Sequence, residues 1–178
     1  TGLVVAPGNP GIARHGRCVP VRDTAVDDLL ALALAERVDL VVVGPEAPLA
    51  LGLGDRLRAA GLAVFGPSAA AARLESSKAF AKDLMARHGI PTARFRVFDG
   101  PAPARAFCRE MGAPVVVKTD GLAGGKGAIV CRTLEEADGA IALCLEERAF
   151  GEAGLRVVVE EFLVGEEASF FALSDGAA

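Results

Sequence analysis

The first third of the chain alternates short apolar runs with longer segments in which apolar side chains recur every three or four residues. Each apolar run stops at a turn rich in glycine and proline. The run at 39–43 has the composition of a strand that is buried on both faces. Strands that alternate with helices predict a parallel sheet with crossover helices. The predicted strands cover 3–6, 17–21, 39–43 and 62–65, and the predicted helices cover 25–37 and 49–60.

A different pattern follows this first part. Residues 68–88 are mostly helical, with a break at 75–77 where Ser76 can cap a second helix that begins near Lys78. From residue 95 the order becomes strand, helix, strand, strand, helix, strand, which is typical of an α+β unit. The predicted strands lie at 95–98, 114–118, 128–131, 157–162 and 167–173, and the predicted helices at 101–111 and 134–147.

The whole pattern predicts an α/β protein with a change of architecture between residues 72 and 97. We expect a domain with a parallel sheet at 1–72, then a helical linker at 73–96, then an α+β unit from 97 onward.

Composition narrows the classes of function. A net charge of −4 argues against a nucleic-acid or membrane-surface partner, because both need a basic field. The four cysteines form no CxxC pair, so we expect reduced thiols and a cytoplasmic protein. Arginine outnumbers lysine among the 19 cationic residues, which makes each lysine a candidate for a specific role. The lysines are Lys78, Lys82, Lys118 and Lys126.

The stretch VVVKTDGLAGGKGAIV at 115–130 places a glycine-rich loop between two apolar strands. The loop lacks the Ser or Thr that follows the lysine of a P-loop, and a strand rather than a helix comes after it. A glycine-rich hairpin with Lys126 at its tip suits a flap that closes over nucleotide phosphates. A hairpin that is merely flexible is the alternative.

Two further stretches carry charged groups at strand ends. Lys118 ends an apolar strand, so its ammonium needs an anion, which is either a nucleotide phosphate or a neighbouring carboxylate. The stretch VEEFLVGEE at 159–167 ends a strand with backbone groups at an apolar edge, and such groups can hydrogen-bond to an adenine ring. A carboxylate a few residues later can bind the ribose hydroxyls. For this second stretch, simple solvation of the glutamates is the alternative.

Glycine- and proline-bearing turns follow three predicted strands of the first part, at 6–9, 44–48 and 66–68. Ligands of open parallel sheets bind outside the carboxyl ends of the strands. Asn9 and Glu46 supply polar groups there, which favours a binding edge over turns that are needed only to reverse the chain.

Together, APGNPG, VGPEAPLALGL, FGPS, LESSKAF, VVVKTDGLAGGKG and VEEFLVGEEASF resemble the ATP-grasp ligases, and more narrowly the phosphoribosylamine–glycine ligase family. The resemblance runs over essentially the whole chain. It implies that the first domain is a Rossmann-like pre-ATP-grasp domain and that the linker opens the second domain. It also implies that the α+β unit is the small ATP-grasp subdomain with its phosphate flap at 97–166, followed by the start of a larger one at 167–178. The ATP-binding residues that it implies are Lys78, Lys118, Gly124, Gly125, Lys126, Gly127, Glu160, Glu161, Phe162, Leu163 and Glu167, and the substrate-binding residues are Asn9, Gly44, Pro45 and Glu46.

The family chemistry implies ATP, glycine and phosphoribosylamine as substrates, Mg²⁺ or Mn²⁺ as the metal, and a monomer as the full-length form. Family members carry an earlier strand and turn and continue into a second ATP-grasp subdomain with the metal ligands. We therefore expect this chain to be a fragment without metal ligands that is inactive alone. The catalytic residues stay unassigned. Another ATP-grasp carboxylate–amine ligase and a non-catalytic nucleotide-binding module are the alternatives.

Overall fold

The computed structural model describes residues 2–173, which fold around two separate hydrophobic cores. The first core contains Ala33, Leu53 and Leu57, with partly buried side chains of the neighbouring strands packed against them. The second core lies between a four-stranded sheet and two helices. None of the helices in residues 2–173 combines the length and the apolar character that a bilayer crossing requires.

The first part contains two parallel strand pairs, β1 with β2 and β3 with β4. Parallel pairing is confirmed, although among the described residues it forms two pairs rather than one continuous sheet. Residues of β1 and β3 both line an apolar cavity of about 280 Å³. The elements are β1 (Val4–Val5), a 3₁₀ turn (Ile12–Arg14), β2 (Arg17–Cys18), α1 (Val26–Glu36), β3 (Leu40–Val42), α2 (Glu46–Ala50), α3 (Leu53–Ala59) and β4 (Ala63–Phe65).

Two details of the first part differ from the sequence prediction. The β3 strand is not buried on both faces, because Leu40 is 56% exposed and Val42 is 64% exposed while Val41 packs on the core. An apolar run shows that a strand is apolar, but not that both of its faces are covered. The predicted helix at 49–60 is divided into α2 and α3 by Gly52, whose φ of +86° is left-handed and ends the helical path.

Two helices join the parts, α4 (Ala69–Ser76) and α5 (Lys78–Arg87). The predicted break between them is confirmed, but the capping residue is Ser77 rather than Ser76. Ser77 Oγ accepts a hydrogen bond of 3.2 Å from the amide of Phe80, the third residue of α5. Ser76 is the last residue of α4, so its own backbone is already helical and cannot take the extended form of a cap.

The second part is the predicted α+β unit. Its strands are arranged in the order β5-β8-β6-β7, and all neighbours are antiparallel. The helices α6 and α7 cover one face of this sheet, and α5 lies against β8. The elements are β5 (Phe95–Phe98), α6 (Pro101–Met111), β6 (Val115–Thr119), β7 (Ala128–Cys131), α7 (Leu134–Ile141), a π-helical turn (Ala142–Glu146), a 3₁₀ helix (Gly151–Leu155) and β8 (Val157–Glu161).

The strand predicted at 167–173 is wrong: these residues are exposed and have no regular structure. A strand needs a neighbour for its backbone hydrogen bonds, and none of the eight described strands lies beside this segment. Residues 174–178, which belong to the predicted region 167–178, lie outside the described residues.

Candidate functional site

The glycine-rich loop is a β-hairpin connection, as predicted. β6 and β7 pair in antiparallel fashion, and the amide of Thr119 donates to the carbonyl of Gly127 across a distance of 2.7 Å. At the tip, the amide of Lys126 donates to the carbonyl of residue 123 at 3.0 Å. Gly124 and Gly125 between them have φ values of +56° and +78°, as in a type I′ turn. Only glycine adopts this backbone conformation without strain, and the exposed Lys126 follows directly after it.

The other two glycines of the loop are needed for space. A Cβ on Gly121 would lie 2.7 Å from the Cβ of Ala153, and one on Gly127 would lie 2.7 Å from the Cβ of Ala123 and overlap Thr119 Oγ1. A Cβ on Gly124 or Gly125 would meet nothing within 4 Å. The loop thus has two closely packed ends and an open tip.

Lys78 begins α5 and lies against the first of these ends. Its Nζ donates to the carbonyl of Gly121 at 3.0 Å, and its backbone amide donates to the carbonyl of Asp120 at 3.1 Å. The break between α4 and α5 makes this possible, because the free amides of a new helix start face the loop. The structure therefore places Lys78 at the base of the predicted flap.

Asp120 connects the same elements, and the sequence prediction missed it. Its carboxylate accepts from the amide of Ala79 at 2.7 Å, from Ser77 Oγ at 3.0 Å and from Nε of Arg156 at 2.9 Å. Burial alone would raise the pKa of Asp120, but these hydrogen bonds and the Arg156 charge outweigh it and hold the pKa below its usual value. No local sequence signal reveals this role, because the partners come from distant segments.

Lys118 pairs with a carboxylate, which is one of the two alternatives that the sequence left open. Its Nζ lies 2.9 Å from Glu160 Oε2, and Nζ of Lys82 lies 3.1 Å from the same oxygen. Glu160 is only 4% exposed, and its Oε1 is buried with no hydrogen-bond partner among residues 2–173. Lys82 was not predicted as a site residue, although it stands four positions after Lys78 and so shares its helix face.

Strand register explains how this cluster forms. Lys118 lies opposite Val158 and Val116 lies opposite Glu160, so Lys118 and Glu160 are diagonal neighbours on one face of the sheet. Phe95 flanks Glu160 on its other side, and Nζ of Lys82 lies 5.4 Å from the centre of the Phe95 ring. The opposite face of the sheet packs on α6 and α7, whereas the face of Lys118 and Glu160 also carries the buried Val158 and receives Lys82 from α5.

The chain leaves the sheet after Glu161, the last residue of β8. Glu161 Oε1 accepts from the amide of Arg94 at 2.8 Å, so this side chain fastens the end of β8 to the start of β5. Phe162, Leu163 and Glu167 are exposed. In the described part of the chain these three residues lie in a segment without regular structure.

The predicted substrate residues of the first part are separate from this cluster. Asn9 Oδ1 accepts from the amides of Gly11 at 2.9 Å and of residue 12 at 3.0 Å, so its oxygen serves its own turn. Gly44 and Pro45 line the apolar cavity, and Glu46 is an exposed residue at the start of α2. No group of three or more metal-ligating side chains occurs within the described residues.

Comparisons with known proteins match both parts of the chain. The family model of the phosphoribosylglycinamide synthetase N domain matches residues 1–75, and the model of the ATP-grasp (A) domain of the same synthetase matches residues 76–178. A phosphoribosylamine–glycine ligase of Xanthomonas campestris pv. campestris is 58% identical over 98% of this chain, and one of Escherichia coli O6:H1 is 56% identical over 98%. The chain spans about two fifths of the length of these curated relatives, 41% of each.

Solved structures show the same likeness. The phosphoribosylamine–glycine ligase of Thermotoga maritima superposes with a TM-score of 0.73 at 32% identity, over 93% of this chain and 39% of that one. A biotin carboxylase from Campylobacter jejuni in complex with β-γ-ATP superposes with a TM-score of 0.71 at 20% identity, over 91% of this chain and 39% of that one, and shares the fold. The resemblance read from the sequence is confirmed, and the chain belongs to the phosphoribosylglycinamide synthetase family.

Proposed function

We propose that this chain is part of an ATP-dependent ligase that joins glycine to 5-phosphoribosylamine in de novo purine biosynthesis. Relatives that are 56–58% identical are named for this reaction, which supports the assignment. Because the chain spans about two fifths of those relatives, the activity is assigned to the full-length protein that contains it. The alternatives are another ATP-grasp carboxylate–amine ligase and a non-catalytic nucleotide-binding module.

The proposed reaction has two steps. A carboxylate oxygen of glycine attacks the γ-phosphorus of ATP, which forms glycyl phosphate and releases ADP. The amine of phosphoribosylamine then attacks the acyl carbon, loses a proton and expels phosphate, which gives glycinamide ribonucleotide. A free carboxylate is a poor acyl donor and water competes for the acyl phosphate, so a flap that closes over the phosphates has a clear purpose.

The arrangement of basic groups around the glycine-rich hairpin is the observation that carries the ATP assignment. Lys78 from α5 reaches the base of the loop, Lys126 stands at its tip, and Lys118 is the last residue but one of the strand that leads into it. Loop amides and lysine side chains together make a site for anionic phosphates. The proposed phosphate-binding residues are Lys78, Lys118, Gly124, Gly125, Lys126 and Gly127.

The proposed adenosine site continues along β8. Buried Oε1 of Glu160 lacks a partner among the described residues, so it is free to accept from a ligand. The residues proposed to bind adenosine are Glu160, Glu161, Phe162 and Leu163, with Glu167 for the ribose. Mg²⁺ or Mn²⁺ would neutralise the phosphates, and no residue of this chain is assigned as its ligand.

For phosphoribosylamine we propose the turns after β1 and β3, with Asn9, Gly44, Pro45 and Glu46. Support comes from the cavity that residues of both strands line, together with Gly44 and Pro45. We further propose that the full-length protein acts in the cytoplasm as a monomer on small molecules alone. Light scattering coupled to size-exclusion chromatography checks the monomer.

The test of the reaction is ADP release by the full-length protein, given ATP, Mg²⁺ and glycine, with and without phosphoribosylamine. We expect release that requires both co-substrates. Release that instead follows another acid or amine replaces the purine assignment with another ATP-grasp ligase. ATP binding without any ADP release under all these conditions favours the non-catalytic module.

The flap is tested by Lys126→Ala in the full-length protein. We expect the Kd for ATP to rise about tenfold, which corresponds to the loss of one charged contact, while the Tm stays unchanged because the side chain is exposed. Arg132→Ala is the matched control, since it removes an exposed cation beyond the hairpin. Equal Kd values for the two variants would show that Lys126 does not contribute to ATP binding.

A further inference from the structure

Lys82 is the most firmly held lysine of the cluster. It lies on α5 one helical turn after Lys78, with its Nζ 3.1 Å from Glu160 Oε2 and 2.7 Å from Thr92 Oγ1, to which it donates. Its side chain is 12% exposed, compared with 29% for Lys118. Of the two cations on Glu160, Lys82 is thus the fixed one and Lys118 the one with more access to solvent.

The carboxylate of Glu160 is shared unevenly. Both lysines contact Oε2, whereas Oε1 is buried without a partner among the described residues. Leaving a buried carboxylate without any cation costs a large amount of free energy. Two lysines on one carboxylate also leave one positive charge uncompensated within the cluster. A surplus cation beside an open acceptor atom indicates that an anionic ligand with a donor group binds here.

We infer that Lys82 is a positioning residue, which keeps Glu160 paired and so releases Lys118 to bind a nucleotide phosphate. The inference rests on the proposed function, because that function supplies the phosphate. Without Lys82, Glu160 would depend on Lys118 alone, and each contact of Lys118 with a phosphate would compete with this buried ion pair. With Lys82 in place, Lys118 leaves Oε2 at little cost.

The first experiment measures the Kd for ATP by titration calorimetry on the full-length protein with Mg²⁺. Lys82→Met is expected to raise the Kd about tenfold, because Lys118 is then retained by Glu160. Lys82→Arg keeps a cation and is expected to recover most of the affinity. The matched control is Arg87→Met, which removes an exposed cation from the same helix and is expected to leave the Kd unchanged.

The second experiment repeats the change in a Glu160→Gln background, where no carboxylate competes for Lys118. If Lys82 acts through Glu160, Lys82→Met has no further effect on the Kd in this background. A tenfold loss that persists there means that Lys82 contacts the nucleotide or acts only on stability, and overturns the inference. The double variant removes both buried charges together, so the comparison holds even if Lys82→Met alone fails to fold.

The outcomes also separate this inference from the proposed function. If the wild type and Lys82→Met bind ATP equally well, the inference about Lys82 is overturned, but the proposed ligase function is not. Wild-type protein that does not bind ATP overturns both.

Discussion

Replacing Asp120 with alanine is the most direct test of how the flap is attached to the fold. Three donors from two segments meet at this carboxylate: the hydroxyl of Ser77 and the amide of Ala79 at the start of α5, and the guanidinium of Arg156 just before β8. Asp120 is 7% exposed, so water cannot take the place of its carboxylate without structural change. We expect Asp120→Ala to destabilise the sheet, α5 and the base of the loop together.

The magnitude follows from the groups left behind. The buried amide of Ala79 would lose its acceptor, which costs about 1–3 kcal/mol of stability. The part-buried hydroxyl of Ser77 would also lose its acceptor, at a cost of about 1 kcal/mol. Arg156 is half exposed and can turn to solvent, so its share is small. The expected loss in the free energy of unfolding is about 3 kcal/mol, a large fraction of the stability of a small domain.

Urea denaturation of the 178-residue chain, followed by far-UV circular dichroism at neutral pH, measures this loss. Asp138→Ala is the matched control, because Asp138 on α7 makes partly exposed, long ion pairs, 3.8 Å from Arg105 and 3.6 Å from Arg109. We expect the control to change stability by less than about 0.5 kcal/mol. If both variants lose the same amount, Asp120 does not hold these segments together.

Two further predictions concern the same region. Because the pKa of folded Asp120 lies below its usual value of 3.8, its contribution is fully present above that pH and is lost as the pH falls through the folded pKa. The stability difference between wild type and Asp120→Asn should therefore shrink below about pH 3.8, as urea midpoints across pH 2.5–7 would show; a constant difference contradicts it. Gly127→Ala should destabilise by about 1–3 kcal/mol through overlap with Thr119. Gly139→Ala, in the middle of α7 with open space around its Cβ, should stabilise by up to about 1 kcal/mol, and thermal unfolding of both variants would show opposite shifts.

Elements with clear local boundaries could be predicted from the sequence to the residue. α6 runs from Pro101 to Met111 as expected, because Gly100 and Gly112 bracket it and proline suits a first helical turn. α7 begins after Thr133, whose Oγ1 accepts from the amide of Glu136 at 3.2 Å. These signals act over three or four residues, so they do not depend on the rest of the fold.

Features set by distant segments could not be predicted in this way. The apolar run that forms β3 says nothing about which face the neighbouring elements cover. The carboxylate of Asp120 gives no sign that it will meet Arg156, because 36 residues separate them and only the assembled sheet brings them together. Likewise, Lys82 resembles any polar residue on the face of a helix until its partner on β8 is known.

Lys118 shows where the two kinds of information meet. The sequence required an anion beside this lysine and left phosphate and carboxylate as alternatives, because it could not show what lies across the sheet. The register of β6 and β8 supplies Glu160 as the diagonal neighbour. Yet a second lysine already pairs with that carboxylate, so the cluster keeps one positive charge in excess. The two alternatives therefore become successive partners of Lys118: Glu160 in the structure, and a phosphate once nucleotide binds under the proposed function.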